Sequence, residues 1–215
     1  MKIRSENELE DCIDKEYSWR RKELTNFKNT TFTSRKALKN TFAKMLIVLL
    51  YSHWEGFIKQ TAIAYCEFLN SKGIKYCDLE DNFKVYCILN NFEGNNFPYK
   101  KFSSYIGVIA ILNNHLDDKL KIDAERYINT QSNLNSDVLR DIIQKIGFNY
   151  ADYELKANLI DNTFLVLRNA IAHGEYREVN EETVKELYKE IINLIECFKN
   201  QVLNSVSCRS YLSNK

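Results

Sequence analysis

Apolar residues recur at helical spacing over most of the chain. Between residues 6 and about 28, Leu9, Cys12, Ile13, Tyr17, Trp19 and Leu24 fall near a 3.6-residue period. Ser5, with Glu8 three positions later, has the pattern of a capping box at the start of that helix. The polar residues 29–33 break the pattern, and Ser34 is placed to cap a second helix running from 35 to about 69. Its apolar positions Leu38, Phe42, Met45, Leu46, Leu49, Leu50, Trp54, Phe57 and Ile58 form a stripe wide enough for a buried central helix, and Ser71-Lys72-Gly73 ends it.

The middle of the chain is less regular. Residues 81–91 and 103–116 are short apolar segments separated by Glu93-Gly94-Asn95-Asn96-Phe97-Pro98, a loop by composition. Their Tyr, Val and Ile content leaves helix and strand hard to separate, and we read both as helices. Residues 123–135 are polar, a loop with some local helix. Residues 137–146 read as a helix capped by Ser136 and closed by Gly147. From 153 to 173, Ile160, Phe164, Leu167 and Ile171 step by four, three and four, and Gly174 sits where helices end in a left-handed residue. Asn180 then caps a last helix with the stripe Val184, Leu187, Tyr188, Ile191, Leu194, Ile195, Phe198 and Val202, and the tail from Ser205 is expected to fray. Two helical stretches separated by about six polar residues should pack antiparallel.

The expected fold is therefore all-α. One domain over 1–215 is built on an antiparallel pair of long helices, with an irregular central insertion at about 75–150. Composition agrees: one proline and six glycines in 215 residues leave few obligatory turns, against a many-stranded sandwich. With 45% hydrophobic and 27% charged residues the chain reads as a soluble globular protein. The six cysteines form no C-x-x-C pair and no zinc-finger spacing, and read as reduced thiols of a cytoplasmic protein. The charged start, from Arg4 to Glu16, is unlike a secretory leader. The most apolar run, residues 45–51, is far short of the roughly 20 residues that span a bilayer, so no membrane role is expected. A formal net charge of +1 gives no global field to attract nucleic acid, so any RNA must bind a local patch.

The chemistry concentrates in Arg168-Asn169-Ala170-Ile171-Ala172-His173-Gly174-Glu175, which holds one of only three histidines. Arginine binds phosphate oxygens through a planar fork of donors, and histidine is the side chain whose proton moves most readily near neutral pH. At ~100° per residue Asn169 and His173 share a helix face, while Arg168 lies on the flank between that face and the core stripe. Arg168 and His173 are thus placed to flank an extended phosphodiester, or to meet the equivalent pair of a second subunit. Ala170 and Ala172 are small enough to admit another backbone or an RNA strand. His173 sits at the negative end of the helix dipole, which favours the imidazolium. The same carbonyls favour Arg and His at a helix C-terminus without any catalytic purpose.

The spacing Arg168-x4-His173, with Asn169 after the arginine, resembles the signature of the HEPN ribonucleases. The wider context, Leu167-Arg168-Asn169 through His173-Gly174-Glu175, looks like the RiboL-PSP-HEPN branch. A second stretch, Tyr51-x-x-Trp54-Glu55-x-Phe57-x-Lys59, resembles the same branch, so the likeness covers both long helical regions. It implies an endoribonuclease without metal or other cofactor, a composite site formed by a homodimer, and a role in toxin–antitoxin or anti-phage defence with an antitoxin or defence-system partner. Glu55 then has two readings: an i, i+4 ion pair with Lys59, or a support that reaches Arg168 and fixes its guanidinium.

Other motifs point less far. His53-x-Glu55 lacks the Pro-Cys-x-x-Cys partner of zinc deaminases, and His53 reads as a packing or polar-face residue and not a catalyst. His115 with Asp117 and Asp118 has no established metal-ligand spacing and reads as a solvated helix end. Among the basic runs, Lys100-Lys101 adjoins Tyr99, Phe102 and Tyr105, a candidate RNA-binding patch with aromatic rings for base stacking. No P-loop, G-x-G-x-x-G, G-x-S-x-G or H-E-x-x-H occurs. The readings from other classes are a non-catalytic helical adaptor binding RNA, a nucleotide or a partner protein, and the half of a toxin–antitoxin pair that its partner modifies.

Overall fold

The computed structural model describes residues 3–92 and 101–213. They form nine α-helices and no strand, so the all-α expectation holds. Helix α1, Glu6–Thr33, opens with the expected capping box: the Ser5 hydroxyl accepts from the Glu8 amide at 3.1 Å and the Glu8 carboxylate accepts from the Ser5 amide. It does not stop at the polar residues 29–33. Thr30, Thr31 and Thr33 donate their hydroxyls to carbonyls four residues back, which keeps them satisfied inside a helix. Ser34 closes α1, donating to the Thr31 carbonyl, and does not cap α2; Arg35 holds that position without a side-chain cap.

Helix α2, Lys36–Ser71, is the axle of the fold. Its side chains from Ala43 to Leu69 are buried over an arc of roughly 220°, well beyond a one-sided stripe, and Trp54, Phe57, Tyr65 and Phe68 are wholly buried. Helix α1 runs antiparallel to it, with Tyr17 against Phe57 and Phe27 against Phe42. The last helix, α9 (Glu181–Cys208, capped by Asn180 as expected), runs parallel to α2, since Lys39 meets Glu181 and Tyr65 meets Ser205.

The segment 153–173 is not one regular helix. Helix α7, Ala151–Glu154, is followed by a π-helical stretch, Leu159–Leu165, and only then by α8, Val166–Ala172. A π turn adds about a residue to the register. Phe164 and Leu165 are accordingly both buried, and the four-three-four stripe read from the sequence does not continue unchanged. The segment still runs antiparallel to α9, through Tyr153 to Gln201 and Lys156 to Glu190.

The insertion consists of a 3₁₀ turn at Tyr76–Asp78, α3 (Asp81–Asn91), α4 (Phe102–His115), α5 (Ala124–Tyr127) and α6 (Ser136–Lys145). It is tied to the end of α2 by two hydrogen bonds between the Asn70 amide and the Ile122 backbone. Asn135, not Ser136, caps α6. The Ser136 amide and hydroxyl donate instead to Asp161 on the π turn. The loop expected over 93–98 lies outside the described residues. The tail does not fray as expected: α9 continues to Cys208, Tyr211 is buried, and backbone hydrogen bonds join Glu80 to Tyr211 and Ser213 to Asp78.

A polar cluster around the buried His53 lies between α1 and α2. The His53 ring lies edge-on to Trp19, its Nε2 2.8 Å from Glu23 and its Nδ1 3.4 Å from Arg20, whose Nη2 pairs with Glu16. Gly56 leaves room for that guanidinium, since a Cβ there would stand 2.9 Å from Arg20 Nη1. Burial holds the His53 pKa below its ordinary 6.5, and the pull of Glu23 the other way does not offset this burial and the Arg20 charge. The unfolded chain therefore takes up a proton near pH 6.5 that the folded protein does not. Stability is full above that pH and is lost as pH falls below it. Thermal melts at pH 7.5 and 5.5 should show a drop for the natural protein that shrinks in His53→Gln; equal drops in both would remove His53 as the cause.

Candidate functional site

Helix α8 ends in a complete Schellman motif. The Gly174 amide donates to Ile171 and the Glu175 amide to Ala170, with Gly174 at φ +75°, as the sequence anticipates. His173 is the C-cap and its ring is exposed. Val166, Asn169 and His173 follow at i, i+3 and i+7 and so share one face, exposed at Val166 and half-buried at Asn169. Ala170, one position round, is buried, and Ala172 is exposed.

Arg168 leaves that face and turns towards α2. Its Cζ lies 3.7 Å from the centre of the Tyr51 ring, and its Nη2 donates to Asn133 Oδ1 at 3.0 Å. Tyr51 is buried, and burial together with the neighbouring Glu55 carboxylate pushes its phenol up to about 12. The Tyr51 oxygen accepts from the Leu134 amide at 2.7 Å.

Glu55 does not form either ion pair expected of it. Its Oε1 accepts from the Thr130 hydroxyl at 2.5 Å, while Lys59 approaches Glu125 at 3.9 Å. Among the described residues no ion pair joins Glu55 to Arg168. Glu55 reaches the arginine indirectly, through Tyr51, which it neighbours, and through the loop that carries Thr130 and Asn133. The tight turn of that loop places Gln131 and Ser132 at φ +54° and +55°. Tyr51, Asn133 and Thr130 were not singled out from the sequence, although Tyr51 opens the pattern that includes Glu55. Asn133 and Thr130 sit in a polar loop with no periodicity to mark them.

The remaining candidates lie apart. Lys101 is exposed at the start of α4, whose main neighbour is α3 and not α8, and Lys100 lies outside the described residues. His115 pairs with Asp118 at 2.7 Å on a helix end, as expected of a solvated position. Among the described residues no three His, Cys, Asp or Glu side chains gather to hold a metal ion, and no helix is long and apolar enough to cross a membrane. Clefts of about 630 and 400 Å³ open at the C-terminal end of α2, lined by Lys72, Gly73 and Leu212 and by Ile3, Asn70 and Ser71; neither touches Arg168 or His173.

The arrangement is thus an exposed imidazole, an amide beside it, and a guanidinium held by an aromatic face, all on two helices of an α-bundle. The model of the RiboL-PSP-HEPN family matches residues 15–204. The chain belongs to the RiboL-PSP-HEPN family. No curated protein and no solved structure matches it. The match takes in both stretches in which the resemblance was read, one on α2 and one on α8, so the family pattern spans the helices that the Arg168–Tyr51 contact joins.

The Schellman glycine of this HEPN-type helix offers a clean test of what sets the position of His173. A Cβ on Gly174 would meet nothing within 4 Å, so replacement acts through backbone strain alone. Gly174→Ala should lower stability by about 1 kcal/mol and Gly174→Asn by less, measured by urea denaturation. Equal stability of all three proteins would show that the left-handed turn contributes nothing.

Proposed function

We propose that this RiboL-PSP-HEPN protein is an endoribonuclease that cleaves RNA by attack of the ribose 2′-OH on the adjacent phosphorus. The observation that carries the reading is the exposed His173 and the half-buried Asn169 on one face of α8, with the Arg168 guanidinium on the adjoining flank. RNA supplies its own nucleophile, so the protein has only to move protons and stabilise charge. His173 takes the 2′-OH proton or gives one to the departing 5′-oxygen. The 2′-oxygen bonds to phosphorus as the bond to the 5′-oxygen breaks, leaving a 2′,3′-cyclic phosphate and a 5′-hydroxyl. Arg168 holds the non-bridging oxygens as charge develops, and Asn169 orients the phosphate or the imidazole. An exposed His173 favours this over a non-catalytic adaptor, for which a histidine tied into the core would be expected, whereas Arg168, expected exposed in an enzyme, is half-buried. The cellular role we assign is toxin–antitoxin or anti-phage defence, with an antitoxin or defence-system partner restraining the enzyme in the cytoplasm.

Purified protein should cleave RNA in excess EDTA, and end-group analysis should find the cyclic phosphate. His173→Ala and Arg168→Ala should each reduce the rate by ~10²-fold or more with helical circular dichroism unchanged. Cleavage retained by His173→Ala, or strict dependence on an added divalent metal, would falsify the mechanism.

The active species we propose is a two-fold dimer in which the Asn169/His173 faces of two subunits line one cleft. Arg168 and His173, ~140° apart on one helix, do not enclose a phosphate alone, whereas an isologous pair surrounds it with two of each. Apolar side chains stand exposed beside the site: Val166 on the same face and Tyr176 just beyond the Schellman turn, with the Lys44 ammonium of α2 over its ring. Light scattering at cleavage-active concentrations should report a dimer, and Val166→Glu should dissociate it and abolish cleavage. A monomer that cleaves at full rate would overturn the composite site.

A further inference from the structure

The contacts of Arg168 go beyond what its catalytic assignment requires, and they converge from two elements far apart in the chain. Tyr51 on α2 covers one face of the guanidinium at 3.7 Å. Asn133, in the loop between α5 and α6, takes one Nη2 proton. Arg168 Nε is buried and makes no hydrogen bond, which leaves Nη1 and the second Nη2 proton as the donors for a phosphate oxygen. The loop that brings Asn133 here is fastened on both sides of its turn. Thr130 binds Glu55, the Leu134 amide binds the Tyr51 hydroxyl, and Ser136 binds Asp161. The loop reaches this position with two consecutive non-glycine residues, Gln131 and Ser132, in left-handed conformation. Ring and loop are also linked to each other, since the same Tyr51 stacks on the guanidinium and anchors Leu134.

We infer that Tyr51 and Asn133 are positioning residues, which fix the plane and edge of the Arg168 guanidinium so that its outer donors meet the phosphate without reorganisation. The inference rests on the ribonuclease reading above and extends it to residues outside the Arg168–His173 motif. An unsupported arginine samples many rotamers, and one stacked on an aromatic face with an amide on its fork does not. Donors already aimed where charge develops act on the transition state, so the effect belongs in kcat more than in KM.

The test compares kcat, KM and the pH–rate profile for Tyr51→Leu, Tyr51→Phe and Asn133→Ala, each also in an Arg168→Ala background, with melting curves run alongside. Tyr51→Leu and Asn133→Ala should each lower kcat about tenfold or more, leave KM within about threefold and leave the pH profile in place. Tyr51→Phe keeps the ring and should lose markedly less than Tyr51→Leu. In the Arg168→Ala background neither change should cost anything further. Asn133 lies in a half-buried loop, so Asn133→Ala keeps the test open if Tyr51→Leu does not fold. Wild-type kcat in folded Asn133→Ala or Tyr51→Leu, an equal loss in Tyr51→Phe and Tyr51→Leu, or losses that add to that of Arg168→Ala would overturn the inference. Should the natural protein cleave no RNA, the ribonuclease reading fails separately. The cradle is then judged by NMR on the guanidinium itself: slow rotation of the Arg168 side chain that becomes fast in Asn133→Ala upholds it, and rotation equally fast in the natural protein and in Asn133→Ala overturns it.

Discussion

A 36-residue helix with buried side chains around more than half its circumference has to be enclosed, and that requirement organises this molecule. One neighbour covers a stripe of roughly 100°, so α2 needs several. It gathers α1, α9, the π turn with α8, and the near end of the insertion. The two long flanking helices then align with each other as well: α1 meets α9 through Tyr17 and Glu196 and through Thr25 and Tyr188. The result is a four-segment bundle in which α2 and α9 run one way and α1 and α8 the other.

Enclosing α2 also forces the fate of its polar side chains. A buried polar group without a partner costs more than its partnered form gains, and several on α2 draw partners from the element that covers them, although Trp54 Nε1 and Thr61 Oγ1 are buried without one. On the side covered by α1, His53 meets Glu23 and Arg20. On the side covered by α8 and the insertion, Glu55 and the Tyr51 hydroxyl meet Thr130 and Leu134. The second set matters for chemistry because it fixes a loop beside Arg168. In this protein the demands of burial and the arrangement of the candidate site are met by the same hydrogen bonds.

The two halves of the motif are held by different means. Arg168 is fixed by tertiary contacts with α2 and the α5–α6 loop, whereas His173 is fixed by local backbone geometry, as the last residue before a left-handed glycine. The π turn contributes to the first. An added residue in the register rotates the downstream helix by ~100°, which turns Arg168 in towards Tyr51 while the face of Asn169 and His173 stays outward. Val166 on that face and Tyr176 just beyond it stand exposed, the apolar surface on which the proposed second subunit would pack.

Much of this was legible in the sequence because it depends on short-range rules. Helix spacing located α2 and α9, the capping box located the start of α1, and Gly174 marked the end of α8, since each is a matter of residues within one or two turns of each other. The residues of the motif were legible too, as was their placement on one face and its flank. Where local signals failed, a longer-range partner had intervened or a residue had bonded back to its own helix. The threonines of 29–33 stay helical by bonding to carbonyls one turn earlier, and Ser136 leaves its cap to bind Asp161. The π turn escaped because a period of 3.6 is assumed whenever a stripe is counted. Glu55 was correctly placed on α2 but wrongly partnered, because Thr130 is 75 residues away and nothing in the sequence brings the two together. The sequence by itself determined most of the helices, those ends that rest on local capping, and the chemical groups on offer. Only the tertiary structure decided which buried polar atoms meet, because that choice is made by the elements that cover α2 from far along the chain.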